Sequence, residues 1–273
     1  MLKQRVITAT FMAIGFIALL FAPTLIQALI FSVLVIIALW EFLGLCRVVG
    51  WTRILLCGAS LLGFGVGVVN FSLFSAGFLN TVLGAASALW AVIFLWVLSY
   101  PASAALWGAK ASKVVQGLCL LVGAWLAFMV LAHDSSAHLH LLYVVVLVAA
   151  ADIGAYFSGK TFGKHKLAPS VSPGKTWEGF AGGSVAVLLC ALAVTEWVGD
   201  IVFLNTFGFV CLAIACGFIS VVGDLYESMI KREVGAKDSS QLLPGHGGLL
   251  DRVDGLIAAA TLYVFVFINS GAA

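Results

Sequence analysis

Residues 201–232 read IVFLNTFGFVCLAIACGFISVVGDLYESMIKR. The first 23 residues of this stretch contain no Asp, Glu, Lys or Arg. A helix needs about 20 predominantly apolar residues to cross a bilayer, so this run is long enough. Charges begin directly after it, at Asp224, and continue to Arg232. The stretch therefore predicts a membrane-spanning helix that ends in a polar site.

The rest of the chain repeats this apolar pattern. Of its 273 residues, 63% are hydrophobic and 10% are charged, against about 25% charged residues in soluble domains. Long unbroken apolar runs predict helices, because the strands of a membrane barrel would alternate. We expect an all-α polytopic membrane protein, a bundle of about nine transmembrane helices with two polar cytoplasmic loops. The predicted spans are residues 6–22, 24–45, 54–74, 78–100, 114–132, 139–158, 178–198, 201–223 and 253–270. Residues 1–135 would hold the N-terminal helices and 136–273 the C-terminal helices with the polar motifs, in one integral domain.

The basic residues predict the orientation. If Lys3 and Arg5 lie in the cytoplasm and nine spans follow, all 14 Lys and Arg residues fall on the cytoplasmic side, as the positive-inside rule requires. The two long polar segments, residues 159–177 and 224–252, would then face the cytoplasm. The compact chain suggests a bacterial inner membrane, with an uncleaved first span. The six cysteines lie mostly in apolar runs without metal-binding spacing, so neither zinc nor a disulfide framework is expected.

The first polar segment favours phosphate binding. Asp152 and Tyr156 are four residues apart and share a helical face, and Lys160 follows them. Ser172 is expected to cap the next helix, which would place Lys175 in its first turn, a position suited to phosphate. A solvated basic loop with an ordinary cap is the alternative. A P-loop is excluded because its first glycine would fall at Pro169.

The second polar segment, extended by two residues to Asp254, holds ten of the chain's 26 Asp, Glu, Lys and Arg residues. Helical spacing puts Asp224, Glu227, Ser228 and Lys231 on one face, although Glu227 alone is more typical of a simple ion pair. Carboxylates that converge from two helix ends, here Asp224 with residues 251 and 254, are a common way to hold Mg²⁺. The alternative is a set of interfacial ion pairs, such as Asp251 with Lys231.

The motifs of both segments resemble one enzyme family, the phosphatidate cytidylyltransferases, also called CDP-diacylglycerol synthases. The resemblance rests on Ser228-x-Ile230-Lys231-Arg232, Lys237-Asp238 and Pro244-x-His246-Gly247-Gly248-Leu249-x-Asp251-Arg252-Val253-Asp254, with Asp152-x-x-x-Tyr156-x-x-Gly159-Lys160 and Ser172-Pro173-x-Lys175-Thr176-x-Glu178-Gly179 upstream. It implies that CTP and phosphatidate react to give CDP-diacylglycerol and pyrophosphate in a Mg²⁺-dependent membrane enzyme that forms a homodimer. It also implies that Asp224 and Asp251 bind the metal, with K⁺ as a further cation.

Three sets of site residues follow from the motifs and the resemblance together. The expected metal ligands are Asp224, Asp251 and Asp254. The expected catalytic residues, which would bind or orient phosphates, are Ser228, Lys231, Arg232, Lys237 and His246. The expected substrate-binding residues are Asp152, Tyr156, Lys160, Ser172, Lys175, Gly247, Gly248 and Arg252.

Two alternatives share the membrane location. A CTP-dependent polyprenol or phytol kinase, or a cytidylyltransferase for another lipid acid, would also use CTP and a metal. A secondary transporter is disfavoured, because transporters bind substrate near the bilayer midplane and this chain has almost no charge there. No nucleic-acid partner is expected.

Overall fold

The computed structural model describes residues 2–271, with side chains from Val6 onward; Met1, residues 272–273 and the side chains of Lys3 and Arg5 lie outside it. The helices are α1 (Leu2–Leu20), α2 (Thr24–Leu45), α3 (Gly50–Val69), α4 (Ala76–Leu98), α5 (Ala104–Trp107), α6 (Lys110–His133), α7 (Ala137–Phe162), α8 (Trp177–Trp197), α9 (Thr206–Val234) and α10 (Leu250–Asn269). A short 3-10 turn, Phe71–Leu73, follows α3. Two strands, β1 (Lys166–Ala168) and β2 (Ser172–Thr176), lie between α7 and α8.

This architecture confirms an all-α polytopic membrane protein, but the count of nine spans is not confirmed. Within residues 2–271, seven helices are long and apolar enough to cross a membrane: α2, α3, α4, α6, α7, α8 and α9. The apolar part of α1, Val6–Leu20, is shorter. The first turns of α10 contain Asp251, Arg252 and Asp254, and this helix is not among the seven.

The basic connections meet at one end of the helix bundle. They are the links α2–α3, α4–α6, α7–α8 and α9–α10. Lys110 Nζ donates to Arg47 O (2.8 Å), Arg232 Nε to Val171 O (3.1 Å) and Ser240 Oγ to Glu41 Oε1 (2.6 Å). We call the end of the bundle at which these four links meet the basic end. The Lys and Arg residues from Arg47 onward thus lie in or next to these links, whereas Lys3 and Arg5 lie outside the described side chains and the cytoplasmic orientation stays a prediction.

The link between α7 and α8 is a β-hairpin, which we did not predict. Lys166 pairs with Thr176 and Ala168 with Ser172 in antiparallel register. Two expectations are therefore wrong: Ser172 does not cap a helix, and Lys175 is not in a helical turn. The helix begins only at Trp177, after Thr176, whose Oγ1 accepts from Gly179 N (3.1 Å). Pairing with β1 keeps the backbone of β2 extended up to that point.

The helix α6 lies at the centre of the bundle. In the most apolar 18-residue stretch of α6, 72% is buried. The corresponding share in α3 is 17%, so α3 lies at the periphery of the bundle. Trp125 of α6 stacks on Phe64 at 4.6 Å between ring centroids and donates through Nε1 to Ser32 Oγ (2.8 Å). These contacts join α2 and α3 to the core. The six cysteines are unpaired in the described structure.

Candidate active site

The site begins where α9 and α10 cross. A Cβ on Gly223 would lie 2.5 Å from Asp254 O, and a Cβ on Gly255 would lie 3.1 Å from Ser220 O. Small residues let two helix backbones approach this closely. The crossing brings Asp224, the residue after Gly223, beside Asp254.

Three carboxylates meet at this crossing: Asp224, Glu227 and Asp254, which we call the carboxylate cluster. Each offers one oxygen, and these oxygens all lie within 4.8 Å of one another. Glu227 is buried, and among the described residues its Oε1 has no hydrogen-bond partner. Leaving a buried polar atom unsatisfied is costly, whereas a bound divalent cation would satisfy it. The residues of the cluster therefore fit a divalent metal ion.

Lys231 connects the carboxylate cluster to Asp251. Its Nζ donates to Glu227 Oε2 (2.9 Å) and to Asp251 Oδ1 (2.7 Å). The ion pair between Lys231 and Asp251, which the sequence left open as an alternative, is present. Asp251 is thus adjacent to the three clustered carboxylates but is not one of them.

The other oxygen of Asp251 is held by the loop before α10. Its Oδ2 accepts from Gly248 N (2.7 Å), Ser239 N (2.8 Å) and Ser239 Oγ (2.9 Å). Burial raises the pKa of Asp251, but the hydrogen bonds from Lys231, Gly248 and Ser239 outweigh burial and lower the pKa to about 2. This carboxylate is therefore ionised at any physiological pH.

Lys175 joins the β-hairpin to the carboxylate cluster, because its Nζ forms an ion pair with Asp224 Oδ2. The four carboxylates and the ammonium groups of Lys175 and Lys231 carry an excess of two negative charges when all are ionised. Opposite charge at close range favours binding of a cation.

A cavity of about 360 Å³ opens beside Lys175, and we call it the polar cavity because charged side chains form part of its otherwise largely apolar wall. Its polar lining includes Asp152, Tyr156, Lys160 and Lys175. The Lys160 ammonium lies 5.7 Å from the centre of the Tyr156 ring. The predicted shared face of residues 152 and 156 is therefore confirmed, and four of the expected substrate-binding residues line one cavity.

An apolar cavity of about 160 Å³ adjoins the polar cavity. The two share Leu167, Phe180 and Val221 as lining residues. Aromatic and aliphatic side chains such as Phe94 and Phe218 form much of the remaining wall. The pair of cavities suits an amphiphile with a charged head and hydrocarbon tails.

The remaining expected residues surround this centre, and their roles stay predictions. Arg232 is exposed and anchors the hairpin through Val171, while Ser228 lies half-buried on α9. Gly247 has a left-handed φ of +84°, and Gly248 directs its N–H at Asp251. The others lie in the loop before α10, at the start of α10 and at the start of β2: Lys237, His246, Arg252 and Ser172. Among the described residues, neither Lys237 nor Arg252 forms an ion pair with the carboxylate cluster.

Sequence reasoning missed two contributors. Glu227, read as a simple ion pair, belongs to the carboxylate cluster, and its helical spacing from Asp224 was the available signal. Glu41 of α2 accepts hydrogen bonds from the loop before α10. In the sequence, the only indication of a role for Glu41 was its position as a carboxylate near the end of an apolar run.

Comparison with known proteins identifies the family. The model of the cytidylyltransferase family matches residues 3–269. The phosphatidate cytidylyltransferase of Haemophilus influenzae is 39% identical over 296 aligned positions, which cover 98% of this chain and 99% of that protein. The phosphatidate cytidylyltransferase of Pseudomonas aeruginosa is 40% identical over 275 positions, covering 99% and 98%. That of Mycobacterium leprae is 39% identical over 169 positions, covering 59% and 50%. The chain therefore belongs to the cytidylyltransferase family.

Proposed function

We propose that this protein transfers CMP from CTP to phosphatidate, giving CDP-diacylglycerol and pyrophosphate for phospholipid biosynthesis. The observation that carries the proposal is the polar cavity, which adjoins an apolar cavity and whose lining residue Lys175 forms an ion pair with Asp224 of the carboxylate cluster. Near-full-length identity of about 40% to two phosphatidate cytidylyltransferases supports the choice of substrates.

We assign one reactant to each cavity. The triphosphate of CTP would lie in the polar cavity beside Lys160 and Lys175. The acyl chains of phosphatidate would extend from the apolar cavity into the membrane, with the headgroup near Phe180 at the shared wall.

The main obstacle to the reaction is repulsion between two anions. Two unit charges 4 Å apart repel by about 4 kcal/mol at an effective dielectric of about 20. Lys175 and Lys231 would offset this repulsion from inside the site, and Arg232, Lys237 and Arg252 from its exposed rim. Ser228 and His246 would orient phosphate oxygens.

In the transfer itself, an oxygen of the phosphatidate phosphate forms a bond to the α-phosphorus of CTP. The bond from that phosphorus to the bridging oxygen breaks, and pyrophosphate leaves with the electron pair. The attacking phosphate is already ionised near neutral pH, so we assign no general base. Positioning and charge neutralisation supply most of the rate enhancement in such reactions.

We assign the metal to the carboxylates at the crossing of α9 and α10. Asp224, Glu227 and Asp254 would hold Mg²⁺. Asp251, which the sequence predicted as a ligand together with Asp224, would lie beside them, joined through Lys231. When bound, Mg²⁺ neutralises charge on phosphate oxygens and orients them. K⁺ remains our proposal for a second cation.

The location and assembly that we propose follow from charge and family resemblance. The basic end would face the cytoplasm of a bacterium, where CTP is available, and the chain would span the inner membrane. A homodimer is proposed from the family resemblance.

An assay of purified protein with phosphatidate and labelled CTP tests the function. Label in the α-phosphate should enter the lipid and label in the γ-phosphate should leave as pyrophosphate. A chelator should stop the reaction and Mg²⁺ should restore it. Asp224→Asn should be inactive, whereas Glu196→Gln, an exposed carboxylate in the last turn of α8, should be fully active. Transfer of the γ-label to the lipid would instead indicate a lipid kinase.

A further inference from the structure

Glu41 lies far from both motif segments in sequence but contacts the second of them. It is on α2 and only 3% exposed. Its Oε1 accepts from Ser240 Oγ (2.6 Å) and Leu249 N (3.1 Å). Its Oε2 accepts from Ser239 Oγ (3.2 Å) and Leu250 N (2.7 Å). Three donors, and a fourth hydroxyl at Ser239 that is shared with Asp251, therefore converge on one buried carboxylate from the α9–α10 loop and the first residue of α10.

These contacts cap α10 from another helix. The residue at the N-cap position, Leu249, has no side chain that can accept a hydrogen bond, and none is made there. The first N–H groups of a helix need acceptors, and a negative charge at this end is favourable. Glu41 supplies both to Leu249 and Leu250.

The loop is shaped to let Glu41 approach. A Cβ on Gly248 would overlap Ser239 Oγ and would lie 2.7 Å from Glu41 Oε2. The backbone at Gly248 therefore passes directly against the carboxylate. Only glycine leaves the room that this contact needs.

Glu41 is linked to the carboxylate cluster through a chain of four contacts. Ser239 Oγ contacts both Glu41 Oε2 and Asp251 Oδ2 (2.9 Å). Asp251 then contacts Lys231, and Lys231 contacts Glu227. In addition, the helix start that Glu41 caps carries Asp251 in its first turn and Asp254 three residues later.

We propose that Glu41 is a positioning residue for the transfer reaction, which holds the start of α10 so that Asp251 and Asp254 face α9 correctly. The inference rests on the proposed function. Glu41 itself touches neither the carboxylate cluster nor the polar cavity. Its loss should therefore disturb metal use and turnover more than nucleotide binding.

The test is Glu41→Gln, measured in the purified full-length protein. We expect turnover to fall about 10–100-fold, as is typical when a partner of a metal-binding group is lost. The Mg²⁺ concentration for half-maximal activity should rise, while KM for CTP should change little. Hydrogen exchange at residues 239–250 should accelerate, which is a readout independent of activity. Glu41→Asp, which keeps the charge, should recover part of the turnover.

Gln27 provides a matched control on the same helix. Its Nε2 donates to Leu19 O (3.1 Å), Leu20 O (3.2 Å) and Ala22 O (3.1 Å), at the opposite end of α2 from Glu41. Gln27→Leu should lower stability but leave turnover per folded molecule and the Mg²⁺ requirement unchanged. If Glu41→Gln behaves the same way, Glu41 serves only folding and the proposal is overturned.

A second variant keeps the proposal testable if Glu41→Gln does not fold. Ser240→Ala removes one donor to Glu41 without touching Asp251. It should raise the Mg²⁺ requirement in the same direction, by a smaller factor. No change in the Mg²⁺ requirement or in exchange at residues 249–250 would overturn the proposal. An inactive wild-type protein would refute the proposed function instead, which is a distinct result.

Discussion

Replacing Lys231 by Met should destabilise the protein and abolish activity together. The Lys231 side chain is 11% exposed and bridges Glu227 and Asp251, whose side chains are 4% and 5% exposed. Removing one partner of a buried ion pair leaves an uncompensated charge and costs about 3–5 kcal/mol. Here two carboxylates lose their cation at once, so we place the loss of unfolding free energy in that range. A typical protein has about 5–15 kcal/mol in total, so the change is large.

The measurement is reversible unfolding of Lys231→Met in detergent micelles, alongside the transfer assay. Lys113→Met is the control, because Lys113 Nζ makes a single, longer contact to Glu233 (3.6 Å). Because the Glu233 side chain is 23% exposed, the carboxylate that Lys113→Met leaves behind stays partly hydrated, so this variant should lose less stability than Lys231→Met. Adding Glu227→Gln to Lys231→Met should recover part of the stability, because fewer charges stay unpaired, but should not recover activity. Equal stability of the two lysine variants, or an active Lys231→Met, would refute the role assigned to Lys231.

Three further outcomes are expected. Gly248→Ala should reduce the rate of CMP transfer at least about tenfold, because its methyl group would displace Ser239 or Glu41. The control Gly63→Ala, whose Cβ would have no neighbour within 4 Å, should be fully active. Equal activity of the two variants would contradict the close packing of Gly248 against Ser239 and Glu41. Lys175→Met should raise KM for CTP in steady-state kinetics, because Lys175 lines the polar cavity and pairs with Asp224, and an unchanged KM would remove it from the nucleotide site. Because the pKa of Asp251 is lowered to about 2, its stabilising contribution should be complete above its ordinary pKa of 3.8 and disappear as pH falls toward 2. The stability difference between wild type and Asp251→Asn should thus stay constant from pH 7 to 5 and shrink only below about pH 4; a difference that shrinks near pH 6 would contradict this.

Much of the fold was predictable because membrane spans depend on local composition. The run at residues 201–223 predicted most of α9, and the positions of Lys and Arg predicted the basic end. The β-hairpin was not predictable in the same way. β2 has the sequence SPGKT, without apolar alternation, and Ser-Pro is also a common helix start. Pairing with β1, a tertiary contact, decided its conformation.

Only the part of the site that lies within a single helix was predictable from the sequence. Spacing placed Asp224, Glu227 and Lys231 on one face of α9, and the described helix agrees. Which carboxylates would meet across α9 and α10 depends on the crossing at Gly223, which no local pattern specifies. Glu41 lies 209 positions from Leu250 in the sequence, so no sequence motif could predict its contact with α10.

The most direct test of the account is binding of Mn²⁺, as a substitute for Mg²⁺, followed by electron paramagnetic resonance of the purified protein without substrate. We predict that wild type and Glu196→Gln bind the ion alike, whereas Asp224→Asn and Glu227→Gln bind it at least about tenfold more weakly, because each removes a charged oxygen from the carboxylate cluster. Equal binding by all four proteins would contradict the assignment of the metal to the crossing of α9 and α10.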